Sequence, residues 1–288
     1  MEPVNESNIE NINSVSHAQQ QTPIPVKICT INENNDVQEF KLKIQSQSEL
    51  SSLIKSTFGY LLWRATMDDK TQKPSTHYDI ISMILNTKNH KFYLAKIFEL
   101  TLKSFVESLK NNTACEKETN QYKFVLYILG IVSNLTAFKI GSVFFSETEE
   151  GRKVVKEICR LVSAVDPSRY HIKRMAYVSL YNLALEVESR NIFRDDQLLS
   201  MMRNDIVCNP CKAFYNNEIQ ILAMKLLWIL SDPKKIDTTM YDIIVKSIEK
   251  KDLEQLTGTP EIKLWARNIC INLFCRPLTN KEDTNDQM

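Results

Sequence analysis

The sequence predicts an all-α protein built as a repeating array of helices, and three observations lead there. Glycine is scarce, with five in 288 residues, roughly a quarter of average usage. Apolar residues recur at three- and four-residue spacings through most of the chain from Ser46 onward. Four long apolar segments are written in one style. Gly-rich phosphate loops, nucleophile elbows and tight hairpins need Gly where the backbone turns sharply or approaches a ligand. Helices joined by short polar connections need very little of it.

Along the chain, residues 1–24 are rich in Asn, Gln, Ser and Glu and offer nothing to bury, so a disordered polar tail is expected. Over 25–45, Val26, Ile28 and Thr30 alternate with other residues. Asn32–Asp36 then reads as a loop, and Phe40, Leu42 and Ile44 alternate again. Period two predicts a β-hairpin there, with an extended arm as the plainer reading. Ser46-x-x-Glu49 fits a capping box opening a helix that carries Leu50, Leu53, Ile54, Phe58 and Leu61. A helical run from Tyr78 to Leu109 breaks near Asn86–Asn89, and Asn111–Asn120 reads as a polar loop. Helices are expected at about 121–138, 150–164, 168–187, 195–207, 215–231, 237–250 and 260–275, with a charged tail at 277–288.

The four apolar segments are LYILGIVSNLTA (126–137), MAYVSLYNLALE (175–186), AMKLLWILSDPK (223–234) and LWARNICINLFC (264–275). Three carry Asn before Leu, at Asn134, Asn182 and Asn272, at intervals of 48 and 90 residues, and the WILSD helix stands near the middle of the longer gap. A period in the mid-forties belongs to armadillo and HEAT arrays, whose units cannot bury their apolar faces alone and stack into one core. The expected fold is therefore an armadillo/HEAT-like α-solenoid over 46–276.

Composition bounds the function. The net charge of +1, from 36 basic and 35 acidic side chains, lacks the basic excess that duplex binding draws on, so direct nucleic-acid binding is not expected. The polar start carries no secretory signal and no long uncharged apolar run would span a membrane, so no membrane partner is expected. Seven scattered cysteines read as reduced thiols of cytoplasm or nucleus.

No catalytic constellation announces itself. Cys208-Asn-Pro-Cys211 has CxxC spacing, but a zinc site needs two further ligands and a redox dithiol wants a βαβ setting. Two thiols at a helix–loop boundary, with Pro210 as breaker, is the reading that wins. His17, His77, His90 and His171 share no spacing with a nucleophile or carboxylate. Glu147, Glu149 and Glu150 suit a helix N-terminus, where they complement the dipole. No catalytic residue, metal or cofactor is expected.

A binding role is readable. An Asn amide can pair with both N–H and C=O of an extended peptide, which makes Asn134 and Asn182 candidate partner-binding residues. Equally, each closes the preceding loop or caps a neighbouring helix. Tyr181 could line a partner pocket, while most aromatics at helical spacing (Tyr127, Phe144, Phe145 and Tyr177 among them) belong to the core. Lys139, Lys173 and Arg174 could flank the groove or be solvated surface charges.

The stretch Thr101–Leu185 resembles the armadillo domain of the heat shock factor 2-binding protein family. The resemblance is carried by TLKSFVESL (101–109), QYKFVLYILGIVSNLTAFKIGSVFF (121–145) and RMAYVSLYNLALE (174–186). YLLWRATMDD (60–69) and LLWILSDP (226–233) extend it to about 60–235. It implies a nuclear adaptor of meiotic homologous recombination that binds a segment of the breast-cancer type 2 susceptibility protein and localises it at double-strand breaks. The family places Arg after the glycine equivalent to Gly141, in the partner-binding region, where this chain has Ser142. It also places a long coiled coil ahead of the armadillo region, whereas residues 1–57 here hold no sustained heptads. Self-association would then have to use a face of the helical domain. A generic armadillo scaffold for trafficking or cytoskeletal assembly is the competing expectation.

Overall fold

The computed structural model describes residues 33–67, 74–86, 88–110, 119–166, 169–194, 196–207 and 216–275, and all their regular structure is helical. The expected tails at 1–24 and 277–288, and Cys208 with Cys211, lie outside the described residues. By its contacts the chain divides after Ser46 into two compact units. Helix α1 (Glu33–Thr66) carries that boundary, and only its residues from Gln47 onward enter the packing and the site described below.

Twelve α-helices are described. After α1 come α2 (Pro74–Asn86), α3 (Lys88–Lys110), α4 (Asn120–Thr136), α5 (Lys139–Glu147) and α6 (Glu149–Ala164). Then follow α7 (Tyr170–Leu185), α8 (Asp196–Ile206), α9 (Asn217–Leu230), α10 (Thr238–Ser247), α11 (Lys250–Glu254) and α12 (Pro260–Cys270). A 3-10 segment (Val187–Phe193) follows α7, and a π-helical turn (Ile271–Cys275) continues α12. Their starts are set by side-chain caps. Thr119, Thr148, Asp237 and Thr259 each accept from the backbone N–H three residues on, and Asn216 accepts from Glu218 and Ile219. Each cap satisfies one of the donors a helix start leaves free.

Within the unit from Gln47, the helices pack as two rows. In one, α4 lies on α7, α7 on α9 and α9 on α12; in the other, α3 lies on α6, α6 on α8 and α8 on α10. Contacts of α6 with α7 and of α8 with α9 join the rows. The core runs along the seam. Val125, Ile128, Leu129 and Val132 of α4, Ala176, Leu180 and Leu183 of α7, and Ala223, Leu226 and Leu227 of α9 are all fully buried. Each buried Leu or Ile contributes about 1.5–3 kcal/mol relative to exposure.

Three expectations are corrected. The hairpin placed at 25–45 lies in part outside the described residues, and its second half, around Phe40, Leu42 and Ile44, is helix. Val37, Phe40 and Ile44 also stand at i, i+3 and i+7, so a short apolar run satisfied both periods. Ser46 opens no helix. It sits inside α1, where its hydroxyl donates to the Lys43 carbonyl, the back-bond a mid-helix Ser makes. Finally, α5 was not expected. Phe138, at its N-cap, makes no capping bond, so the usual start signal is missing. Its close turn off α4 requires Gly141, since a Cβ there would lie 1.9 Å from the Leu135 carbonyl oxygen.

Candidate partner-binding face

The site is built on the open side of the α4–α7–α9–α12 row, with the end of α1 laid across α4. Asn134, Asn182 and Asn272 each donate toward the end of another helix. The Asn182 amide donates to the Ser133 carbonyl at 3.0 Å, and Asn134 donates to Thr66 Oγ1 at 3.1 Å. Asn272 reaches the Trp228 carbonyl and Ser231 Oγ, each at 3.5 Å. Thr66 ends α1, Ser133 lies in the last turn of α4, and Trp228 in the last turn of α9. Last-turn carbonyls have no partner inside their own helix. Asn182 thus ties α7 to the end of α4 and Asn272 ties the turn after α12 to the end of α9, while Asn134 ties α4 to a side-chain hydroxyl at the end of α1. Asn134 and Asn182, both half-buried, stand at these junctions.

The other expected site residues are placed as follows. Tyr181 is half-buried on α7, packed against the core. Arg174 pairs with Glu218 of α9 at 2.5 Å, and the same carboxylate accepts from Tyr170. Lys139 is exposed at the start of α5. Ser142 is buried, its hydroxyl donating to the Thr136 carbonyl at 2.8 Å, so it holds α5 against the end of α4. Lys173 does not flank the groove. It is buried and pairs with Asp205 of α8 at 2.5 Å. Tyr177 donates to the other oxygen of that carboxylate at 2.6 Å. Burial first, and then Asp205, push the Tyr177 phenol well above its ordinary 10.0.

The aromatic part of the face was missed. Tyr60 and Trp63 of α1 meet Tyr127 of α4, with Trp63 stacked on Tyr127 at 5.6 Å between centroids. The indole covers Gly130 so closely that a Cβ there would stand 2.5 Å from its Nε1. Beside it opens a recess of about 140 Å³ lined by Trp63, Leu126, Tyr127, His171, Arg174 and Met175. Further along, Trp228 of α9 and Trp265 of α12 meet edge to face at 5.4 Å. Lys225 lies 5.6 Å from the Trp265 ring and 3.7 Å from Glu261.

Two of the chain's three tryptophans thus stand on this row and the third, Trp63, on α1 against α4, and none is fully buried. A signal was present in the sequence: each follows a leucine, as Leu62-Trp63, Leu227-Trp228 and Leu264-Trp265. Chemically the face offers large apolar anchors, half-buried amides and a few cations, Arg174 and Lys225 of them paired with carboxylates. His171 is exposed at the rim of the recess. Among the described residues, no three His, Cys, Asp or Glu side chains are grouped to hold a metal ion. No single described helix is long and apolar enough to cross a membrane.

The described residues form an all-α protein whose helices pack in two rows, with aromatic clusters where α1 meets α4 and where α9 meets α12. No family model matches the chain, and no curated protein matches it.

Proposed function

We propose that the chain is a non-catalytic, armadillo-type α-solenoid adaptor that grips an extended segment of another protein along the open row. The observation that carries this reading is that none of the three tryptophans is fully buried, Trp63 lying against α4 beside a recess and Trp228 meeting Trp265 between α9 and α12. Tryptophan and tyrosine concentrate binding energy at protein interfaces, as anchors surrounded by water-excluding neighbours. The recess beside Trp63 suits one apolar or aromatic side chain of the partner. Tyr181 extends the apolar contact, and Asn134 and Asn182 pair with the partner's backbone. Lys139 and Arg174 flank the segment, and Ser142 acts indirectly by fixing α5.

The partner proposed is a peptide segment of a recombination mediator, held at double-strand breaks in meiotic nuclei. Sequence resemblance to the heat shock factor 2-binding protein family supports that part. One observation favours a second reading, a generic armadillo scaffold of trafficking or cytoskeletal assembly. Where the family has an arginine, Ser142 is buried and bonded inward, so the family's contact at that position is missing.

The test is capture from germline extract on the immobilised chain, beside a Trp63→Ala, Tyr127→Ala double variant. The reading expects a recombination mediator on the native chain and at least about tenfold less on the variant, the loss of one anchor. A mediator absent from the captured set removes the recombination role. Equal capture by the variant removes this face.

A further inference from the structure

Helix α1 is built inside out. Its side toward the body carries small residues: Ser56 is buried, Gly59 is buried beneath the Phe124 ring, and Ser52 is half-buried. The large apolar residues face away. Leu50, Leu53, Ile54, Phe58 and Leu61 are all more than half exposed, at 52–60%. An amphipathic helix packed on one neighbour turns its apolar face inward. Here the neighbour is already satisfied by serine and glycine, and the apolar stripe is left open.

That stripe continues into a groove of about 550 Å³ between α1, α2 and α3. Phe58 and Leu62 form one wall, and Met83, Tyr93 and Ile97 are exposed on the other side. Leu100 of α3 is also half exposed. At about 200 Å² for the aromatic Phe58 and Tyr93 and roughly 150 Å² for the seven aliphatic side chains, these nine residues, each about half exposed, present roughly 700 Å². A monomer's largest apolar patch is usually about 300–600 Å², and each partner of a stable dimer contributes about 800 Å².

We propose that this surface is the interface between two copies of the chain, related by a two-fold axis, with the α1 stripe of each copy laid against the stripe and groove of the other. Charge favours a second copy as the occupant. Between Leu50 and Leu62 the single formal charge is Lys55, so the stripe carries nothing to select a charged partner. The net charge of +1 puts little repulsion between copies. A two-fold axis makes one apolar patch its own complement, and two copies of Phe58 have two copies of the groove to enter.

The experiment is sedimentation equilibrium of the full chain at about 10 μM, within the range where interfaces of this size hold. The native chain is expected at twice its 33.4 kDa mass. The Ile54→Glu, Leu61→Glu double variant is expected at the single mass, with its dissociation constant raised at least about 100-fold by two charges forced into an apolar contact. Both positions are exposed, so the variant's far-ultraviolet helix signal should equal the native one. Trp228→Ala, on the other face, should remain a dimer. A native chain at 33.4 kDa, or a dimer that survives both glutamates, overturns the proposal. So does a dimer lost on Trp228→Ala.

Discussion

Helices α1 and α12 make an instructive pair. Helix α12 buries Ile262, Ala266 and Ile269 and turns Glu261, Lys263 and Arg267 to solvent, with Leu264 the one large apolar exposure on it. Helix α1 does the reverse over Leu50–Leu62. Both show helical periodicity, yet one has its apolar face covered and the other has it open. Periodicity says that a helix has two sides; it does not say which side meets the body. For α1 the choice is made by size. Gly59 admits the Phe124 ring, Gly130 admits Trp63, and the Asn134–Thr66 bond holds the helix end. Helical arrays usually end in a helix with a polar outer side. The described C-terminal side follows that rule. Helix α1 departs from it, which is the reason to expect a second copy there.

The middle of the row sets the scale against which both ends are measured, and its largest vulnerability is the buried ion pair. Asp205→Ala leaves Lys173 charged and out of water, a loss of about 3–5 kcal/mol expected in urea denaturation. A loss below about 1 kcal/mol would mean that water reaches Lys173 and that the α7–α8 contact is far looser than described. Leu180→Ala, at the buried α4–α7 contact, is next, at about 2–5 kcal/mol. Leu61→Ala in α1 is the matching case. In dilute solution, where copies separate, it should stay within about 0.5 kcal/mol of native. An equal cost at the two leucines would erase the contrast between row and end.

Tyr177→Phe comes third, at about 1.5–3 kcal/mol for a hydrogen bond to a charged group, and it has a pH signature. The folded phenol is raised above 10.0, so its contribution is intact below the unfolded value. It is lost as pH rises past that value toward the folded one, because the unfolded chain releases the proton first. The urea midpoint should fall between about pH 9 and about pH 11, and fall less in the Phe variant. An identical slope in both would show that Tyr177 keeps no buried proton.

Much of the helical fold could be read from the sequence because the signals were local and agreed: apolar faces on α4, α7 and α9, and punctuation near Asn86. Misreadings came where a local signal had two meanings or none. Residues 37–44 satisfied both periods, Ser46 could cap or back-bond, and α5 has no capping side chain. The site was harder to read because its chemistry depends on which side of a helix faces out. Lys173 and Arg174 are adjacent in sequence, yet one is buried against Asp205 and the other lies on the open face. Trp63 meets Tyr127 across 64 residues of sequence, and Trp228 meets Trp265 across 37. No window along the chain spans the longer of those gaps.

The smallest effect tests the asparagines. Asn182 donates one hydrogen bond to the end of α4, so Asn182→Ala should cost about 1 kcal/mol, well below Leu180→Ala on the same helix. Asn134→Ala should match it, since its bond has nearly the same length, 3.1 against 3.0 Å. Asn272→Ala should cost less, because its two contacts stretch to 3.5 Å, the weak edge of hydrogen-bond geometry. That order follows from helix capping alone. A role in gripping a partner adds a separate quantity: binding weakened by Asn182→Ala beyond what unfolding accounts for, measured where both chains are fully folded. Stability lost with binding intact would make the ladder purely a link between row helices. Binding lost while stability falls by only the capping term would give the same amide two uses, one hydrogen on α4 and its remaining atoms on the partner.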